Sequence, residues 1–131
     1  MDMFTFPEPA AFVQILTLPF ILMGMSHIFH PTMWREFFIW LHSLGPSGVV
    51  LRTFALELWP ALIIVCFHQV WTGWAVVLTL YGHLLMTKVV ISLLVPDVGL
   101  KSLNLAKKGP LGFQIAGGVL VALGALSIQI W

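Results

Sequence analysis

Long apolar runs separated by two short polar stretches make up this chain. No charged residue occurs between Glu8 and Arg35, none between Glu57 and Lys88, and none after Lys108. Four windows, at about residues 10–30, 48–68, 70–95 and 110–131, each supply the roughly 20 apolar residues that cross a hydrocarbon core of about 30 Å. The pattern predicts an all-α fold, an integral membrane four-helix bundle in one transmembrane domain. Two linkers, about 31–47 and 96–109, join the spans. In 32–44, Trp34, Phe37, Phe38 and Leu41 fall at helical spacing with Arg35, Glu36 and His42 left for the wet side. In 97–108, Val98, Leu100, Leu103 and Leu105 oppose three lysines less regularly. Both read as short helices lying on the membrane surface.

Composition sharpens this picture. Of 131 residues, 60% are hydrophobic and 8% charged, and the mean hydropathy is +1.01. Such a balance lies outside soluble domains, so the expected partners are the lipid bilayer and other membrane subunits, or a second copy of the chain in a homo-oligomer. A net charge of +1 with no basic aromatic patch gives no support for a nucleic-acid partner. The start of the chain, with Asp2 and Glu8, lacks the basic leader and cleavage site of a secretory signal, so the first span reads as a retained helix. Cys66 has no second cysteine for a disulfide or a thiolate metal site.

Charge also orients the spans. Arg35, Arg52, Lys88, Lys101, Lys107 and Lys108 lie in or near the two linkers, whereas His68-Gln69-Val70-Trp71 carries no basic charge beyond a histidine. The positive-inside rule then puts both linkers in the cytoplasm and both termini on the far side. Trp34 and Trp40 would mark the inner interface, and Trp71, Trp74 and Trp131 the outer one. The expected location is the bacterial inner membrane, as a multi-pass protein.

The two halves resemble each other. Gly45-Pro46-Ser47-Gly48 recurs 64 positions later as Gly109-Pro110-Leu111-Gly112, Pro31 recurs 65 later as Pro96, and Leu16-Thr17-Leu18 recurs 62 later as Leu78-Thr79-Leu80. Each half reads as span, proline, interfacial segment, Gly-Pro-x-Gly, span. This predicts two tandem two-helix repeats pointing the same way.

Few residues carry candidate chemistry. Glu57 sits about nine residues into the second span, where a carboxylate must be paired or protonated. Pro60 removes the donor for the Leu56 carbonyl, so a kink is expected beside the acid. Lys88, at similar depth on the third span, is the expected partner, with His83 or Tyr81 as hydrogen-bonding alternatives. Arg52, nearer the inner interface, is expected to snorkel. This buried polar cluster serves either as a clamp fixing helix register or as a site that moves a proton or holds a ligand. His83 and His27 are the candidate haem or chlorophyll ligands, although no two histidines fall level on facing helices. His27 and His30 have the i,i+3 spacing of a two-ligand metal pair without a third ligand. On the fourth span, Gly117 and Gly124, and the stripe Gly118, Ala122 and Ala125, predict close helix packing, and Pro19 and Gly24 predict a bend in the first.

Gly24-x-x-His27-x-x-x-x-Pro31-x-x-Trp34, Leu44-Gly45-Pro46 and Leu56-Glu57-Leu58 together resemble the first half of DoxX-like four-helix membrane proteins, over about residues 12–75. The chain departs from that pattern at His30, where the family often has an acid or amide, and at Trp59-Pro60, where it has small residues. The resemblance implies a four-helix membrane fold, a significant glutamate at Glu57, and association with membrane oxidoreductase assemblies, including quinone-linked ones. The chain has no nucleotide loop, metal cluster or nucleophile constellation. The leading expectation is therefore an accessory subunit, without catalysis or cofactor, beside a larger redox or energy-converting complex. The alternatives are a quinone-handling oxidoreductase component using Glu57, His83 and Tyr81, and a small oligomeric transporter. A cavity reaching Glu57 separates the first two.

Overall fold

The computed structural model describes residues 9–130, and every regular element in them is helical. The first apolar run forms α1 (Pro9–Gln14) and α2 (Thr17–Phe29). Their break falls at Ile15-Leu16, because Pro19 has no N–H to offer the carbonyl four residues earlier. A corner leads to α3 (Pro31–Ser43), and a second to α4 (Pro46–Arg52). The same helix runs on through a π-helical stretch, Thr53–Leu58, into α5 (Trp59–Phe67). After a loop come α6 (Val76–Leu94), α7 (Pro96–Asn104) with a 3-10 extension Leu105–Lys108, and α8 (Leu111–Ser127) with a 3-10 end Ile128–Ile130.

The corners repeat. His30 and Val95 have nearly equal φ, −129° and −130°, and both precede a proline at the first helical position. The N–H of each returns to a carbonyl four residues back, on Ser26 and Ile91, at 2.8 Å. At the next corner Gly45 and Gly109 have φ of 66° and 129°, a region that side chains disfavour. The recurring motifs thus place a proline-headed helix and then a positive-φ glycine at matching points of the two halves.

The long apolar helices assemble as two close pairs. α2 lies along α8 in the most extensive contact of the molecule, and α5 lies along α6. Gly24 and Gly117 meet with almost no space: a methyl group on Gly117 would stand 2.5 Å from the Gly24 carbonyl oxygen, and one on Gly24 would stand 2.6 Å from the Gly117 oxygen. Gly124 rests on Ile21 in the same way. Gly118, Ala122 and Ala125 lie on the opposite face and are exposed, and nothing approaches Gly118 within 4 Å. The expected internal role therefore holds for Gly117 and Gly124 only. A buried polar contact also joins this pair, Thr17 Oγ1 to Ser127 Oγ at 2.6 Å.

Val13, Leu16, Phe20, Ile64, Leu78 and Leu123 form a core at one end of the pairs. At the other end α3 and α7 cover the molecule, packing Leu41 and Leu103 on Val49 with Phe37, Phe38 and Leu100 around them. Arg35 ties the two linkers together, donating from Nε to the Ala106 carbonyl at 3.1 Å.

One boundary differs clearly from the sequence reading. α6 starts at Val76, six residues later than expected, because Thr79 Oγ1 donates to the Val70 carbonyl and His68 Nε2 meets the Ala75 carbonyl, folding residues 68–75 into a loop. Trp131 lies outside the described residues. Ala10–Phe29, Pro46–Phe67 and Val76–Leu94 are each long and apolar enough to cross a membrane. α8 provides a fourth span when counted with the helix before it, from which it is bent by 108°. The outer faces of these helices are apolar, with Leu18, Leu22, Leu84 and Ile115 largely exposed.

Candidate functional site

Glu57 lies inside the π-helical stretch, and the stretch has an identifiable cause. Pro60 cannot donate to the Leu56 carbonyl, and its ring crowds that oxygen. Widening the turn to i→i+5 pairing relieves the conflict. The wider turn also changes which side chains share a face. In an α-helix, residues five apart point about 140° away from each other. In a π-turn they come round to the same side, and Arg52 and Glu57 are five apart.

The result is a three-residue cluster in which Arg52 and Glu57 are buried and Lys88 is exposed. Arg52 Nε is 3.2 Å from Glu57 Oε1, and Lys88 Nζ reaches the same oxygen from α6 at 2.9 Å. The arginine contact is an ion pair without a directed hydrogen bond. Its other nitrogens find partners: Nη1 donates to Ser102 Oγ at 3.3 Å and the Gly99 carbonyl at 3.5 Å, and Nη2 to Ser92 Oγ at 3.3 Å. Arg52 is 1% exposed. The expected snorkelling does not occur, because α3 and α7 roof over the end of α4 and the two serines and Gly99 supply the acceptors that water would otherwise provide.

One atom of the cluster is left over. Glu57 Oε2 is buried and has no hydrogen-bond partner among the described residues. It belongs to a side chain only 9% exposed, at the wall of a cavity of about 750 Å³ between the two helix pairs. The walls are mostly apolar, including Phe20, Met23, Trp59, Leu85, Phe113 and Leu120, with Glu57, Lys88, Tyr81, Ser102 and His27 as the polar positions. Tyr81 packs edge-on against Phe20 with ring centres 5.9 Å apart. His27 donates from Nδ1 to the Met23 carbonyl at 2.7 Å, the ordinary partner four residues back on its helix, and stacks on Trp34 at 4.2 Å. With Nδ1 so used, Nε2 of the neutral ring is an acceptor.

His83 does not join the cluster. Its Nδ1 pairs with the Thr79 carbonyl at 2.9 Å and its ring sits 5.2 Å from Trp71, so it belongs to the loop end of α6. His27 and His83 therefore serve different regions, and no shared ligation site for a haem or pigment is formed by them. Among the described residues no group of three or more His, Cys, Asp or Glu side chains is placed to hold a metal ion. Sequence reasoning finds Glu57, Lys88 and Tyr81 but passes over Arg52, Ser92 and Ser102. The signal for the first of these is the arginine five residues before the acid with a proline three residues after it.

No protein family matches this chain, nor does any curated protein or solved structure. The reading of function rests on the site itself. A cavity of this size, largely apolar with a few convergent polar groups, has the character of a small-molecule site.

Proposed function

We propose that the chain is a multi-pass membrane four-helix bundle whose cavity binds a lipid-soluble ligand with a hydrogen-donating head, of the quinol class. One observation carries this: Glu57, whose Oε2 is buried and has no hydrogen-bond partner among the described residues, lines a largely apolar cavity. As the partner of two cations Glu57 acts as a carboxylate, which accepts hydrogen bonds and donates none. A carboxylate oxygen without a donor, on a side chain that lines an apolar cavity, calls for a donor, and a hydroxyl on a flat lipophilic ring suits both the carboxylate and the walls. Lys88 and Tyr81 have N–H and O–H groups to offer a second oxygen of the same head. Membrane insertion is supported by the exposed apolar faces, and the basic linkers argue for α3 and α7 on the cytoplasmic side.

The test is binding of a short-tailed benzoquinol to the chain in lipid nanodiscs, followed by quenching of Trp59 emission. Saturable binding is expected, weakened about tenfold by Glu57→Gln through loss of a charged acceptor. Ala116→Trp, which fills the cavity and leaves the ion pairs intact, should abolish it. Unsaturable partition unaffected by either change would defeat the proposal.

A second reading, an accessory subunit beside a larger redox complex, is favoured by the outward face of Gly118, Ala122 and Ala125, which admits close approach of another helix. In mild detergent extracts of native membranes the chain should then migrate with a larger assembly, and Gly118→Leu should release it.

A further inference from the structure

The ion-pair cluster has a second opening. Lys88 and Ser102 line the cavity and also border a groove of about 270 Å³ on the outer face where α6 meets α7, together with Leu84, Thr87, Ile91, Ser92 and Val98. Glu57 is not among its walls.

The groove is rich in donors. Ser92 and Ser102 each accept a hydrogen bond from Arg52 and, among the described residues, donate to nothing, so their own protons remain available. Lys88 uses one N–H on Glu57 and keeps two. Thr87 is the exception, since its hydroxyl donates to the His83 carbonyl at 2.9 Å. Charge points the same way. Arg52 and Lys88 share one carboxylate, and among the described residues no other acid pairs with either. One positive charge is thus left over beside the groove, where the Lys88 side chain is 45% exposed, and Asp97 on α7 does not pair with it. Leu84, Ile91 and Val98 beside the groove are 71%, 41% and 45% exposed. Donors and net positive charge call for an anion, and the flanking apolar side chains call for a hydrocarbon chain attached to it.

We infer that this groove holds the phosphate of an anionic phospholipid, hydrogen-bonded by Lys88, Ser92 and Ser102, with an acyl chain along Leu84, Ile91 and Val98. The site is separate from the exposed linker lysines, and it compensates the charge that the Arg52–Glu57–Lys88 cluster leaves over. It rests on the reading of the chain as membrane-embedded, which resistance to carbonate extraction tests on its own.

The full chain, purified in neutral detergent, is incubated with equimolar phosphatidylglycerol and phosphatidylcholine and weighed by native mass spectrometry. Retention of phosphatidylglycerol is expected to exceed that of phosphatidylcholine about fivefold, the factor appropriate to one charge near a lipid headgroup. Thr87→Glu puts a carboxylate into the groove from an exposed position and should remove the preference, while Thr87→Gln should keep it. Val98→Glu, from the α7 wall, should act like Thr87→Glu and serves if that variant does not fold. Equal retention of the two lipids by the unmodified chain, or a preference that survives a folded glutamate variant, overturns the inference. Displacement of the lipid by millimolar inorganic phosphate overturns its lipid part and reassigns the groove to a soluble anion.

Discussion

The two helix pairs hold together by opposite means. α2 and α8 approach through glycines, backbone against backbone, with Thr17 and Ser127 as a buried polar stitch. α5, with its π-helical approach, and α6 are joined across an arginine, a glutamate and a lysine. The first arrangement gains from dispersion at short range and tolerates no added volume. The second depends on charges that stabilise only while all partners are present. The difference bears on where the cavity lies: glycine packing brings one pair into close contact, and the polar cluster, at the wall between the pairs, leaves one buried carboxylate oxygen without a donor.

That contrast can be broken at either pair. The largest effect is expected from Glu57→Leu, which strands a 1% exposed guanidinium and should cost about 3–5 kcal/mol. Thermal unfolding in detergent measures it, and the double variant Arg52→Met with Glu57→Leu should recover much of the loss, because the buried guanidinium is then gone as well. Recovery failing in the double variant would mean that the acid acts through shape rather than charge. Next comes Gly117→Leu, where side-chain atoms would enter the space of the Gly24 carbonyl, at about 3 kcal/mol by overpacking. A smaller loss, about 1 kcal/mol, is expected for Ser127→Ala, from one buried hydrogen bond. Gly118→Leu, one residue from Gly117 but on the open face, should shift stability by no more than about 0.5 kcal/mol in the isolated chain. Equal melting temperatures for Gly117→Leu and Gly118→Leu would refute the asymmetry of α8.

Much of the helical architecture is legible in the sequence because apolar runs, proline corners and Gly-Pro pairs act locally. Pro31, Pro96, Gly45 and Gly109 mark turns by their own backbone restrictions, so position in sequence suffices. The cluster is only partly legible. Glu57 and Lys88 are conspicuous as charges in apolar runs, and their approach follows from adjacency of the second and third of those runs. Arg52 reads as an interfacial residue because an α-helical wheel turns it away from Glu57, and only the wider π-turn reverses that. His83 misleads for the complementary reason: depth along α6 is readable, but the folding of residues 68–75 against it decides which neighbours its ring meets. For Gly118 the composition of the stripe suggests packing, whereas which side of α8 meets α2 is settled by the tighter fit of Gly117 and Gly124.

The π-helical stretch also bears on how relatives of this chain would be found. A span that carries a π-turn holds one more residue than a uniform α-helix joining the same two ends. A cousin with an unbroken second span would keep its arginine and glutamate together at a separation of four instead of five, and would lack the proline that follows. Residue-by-residue alignment would then place the two arginines out of step, and the shared ion pair would be visible only after a single-residue gap is opened between positions 52 and 57.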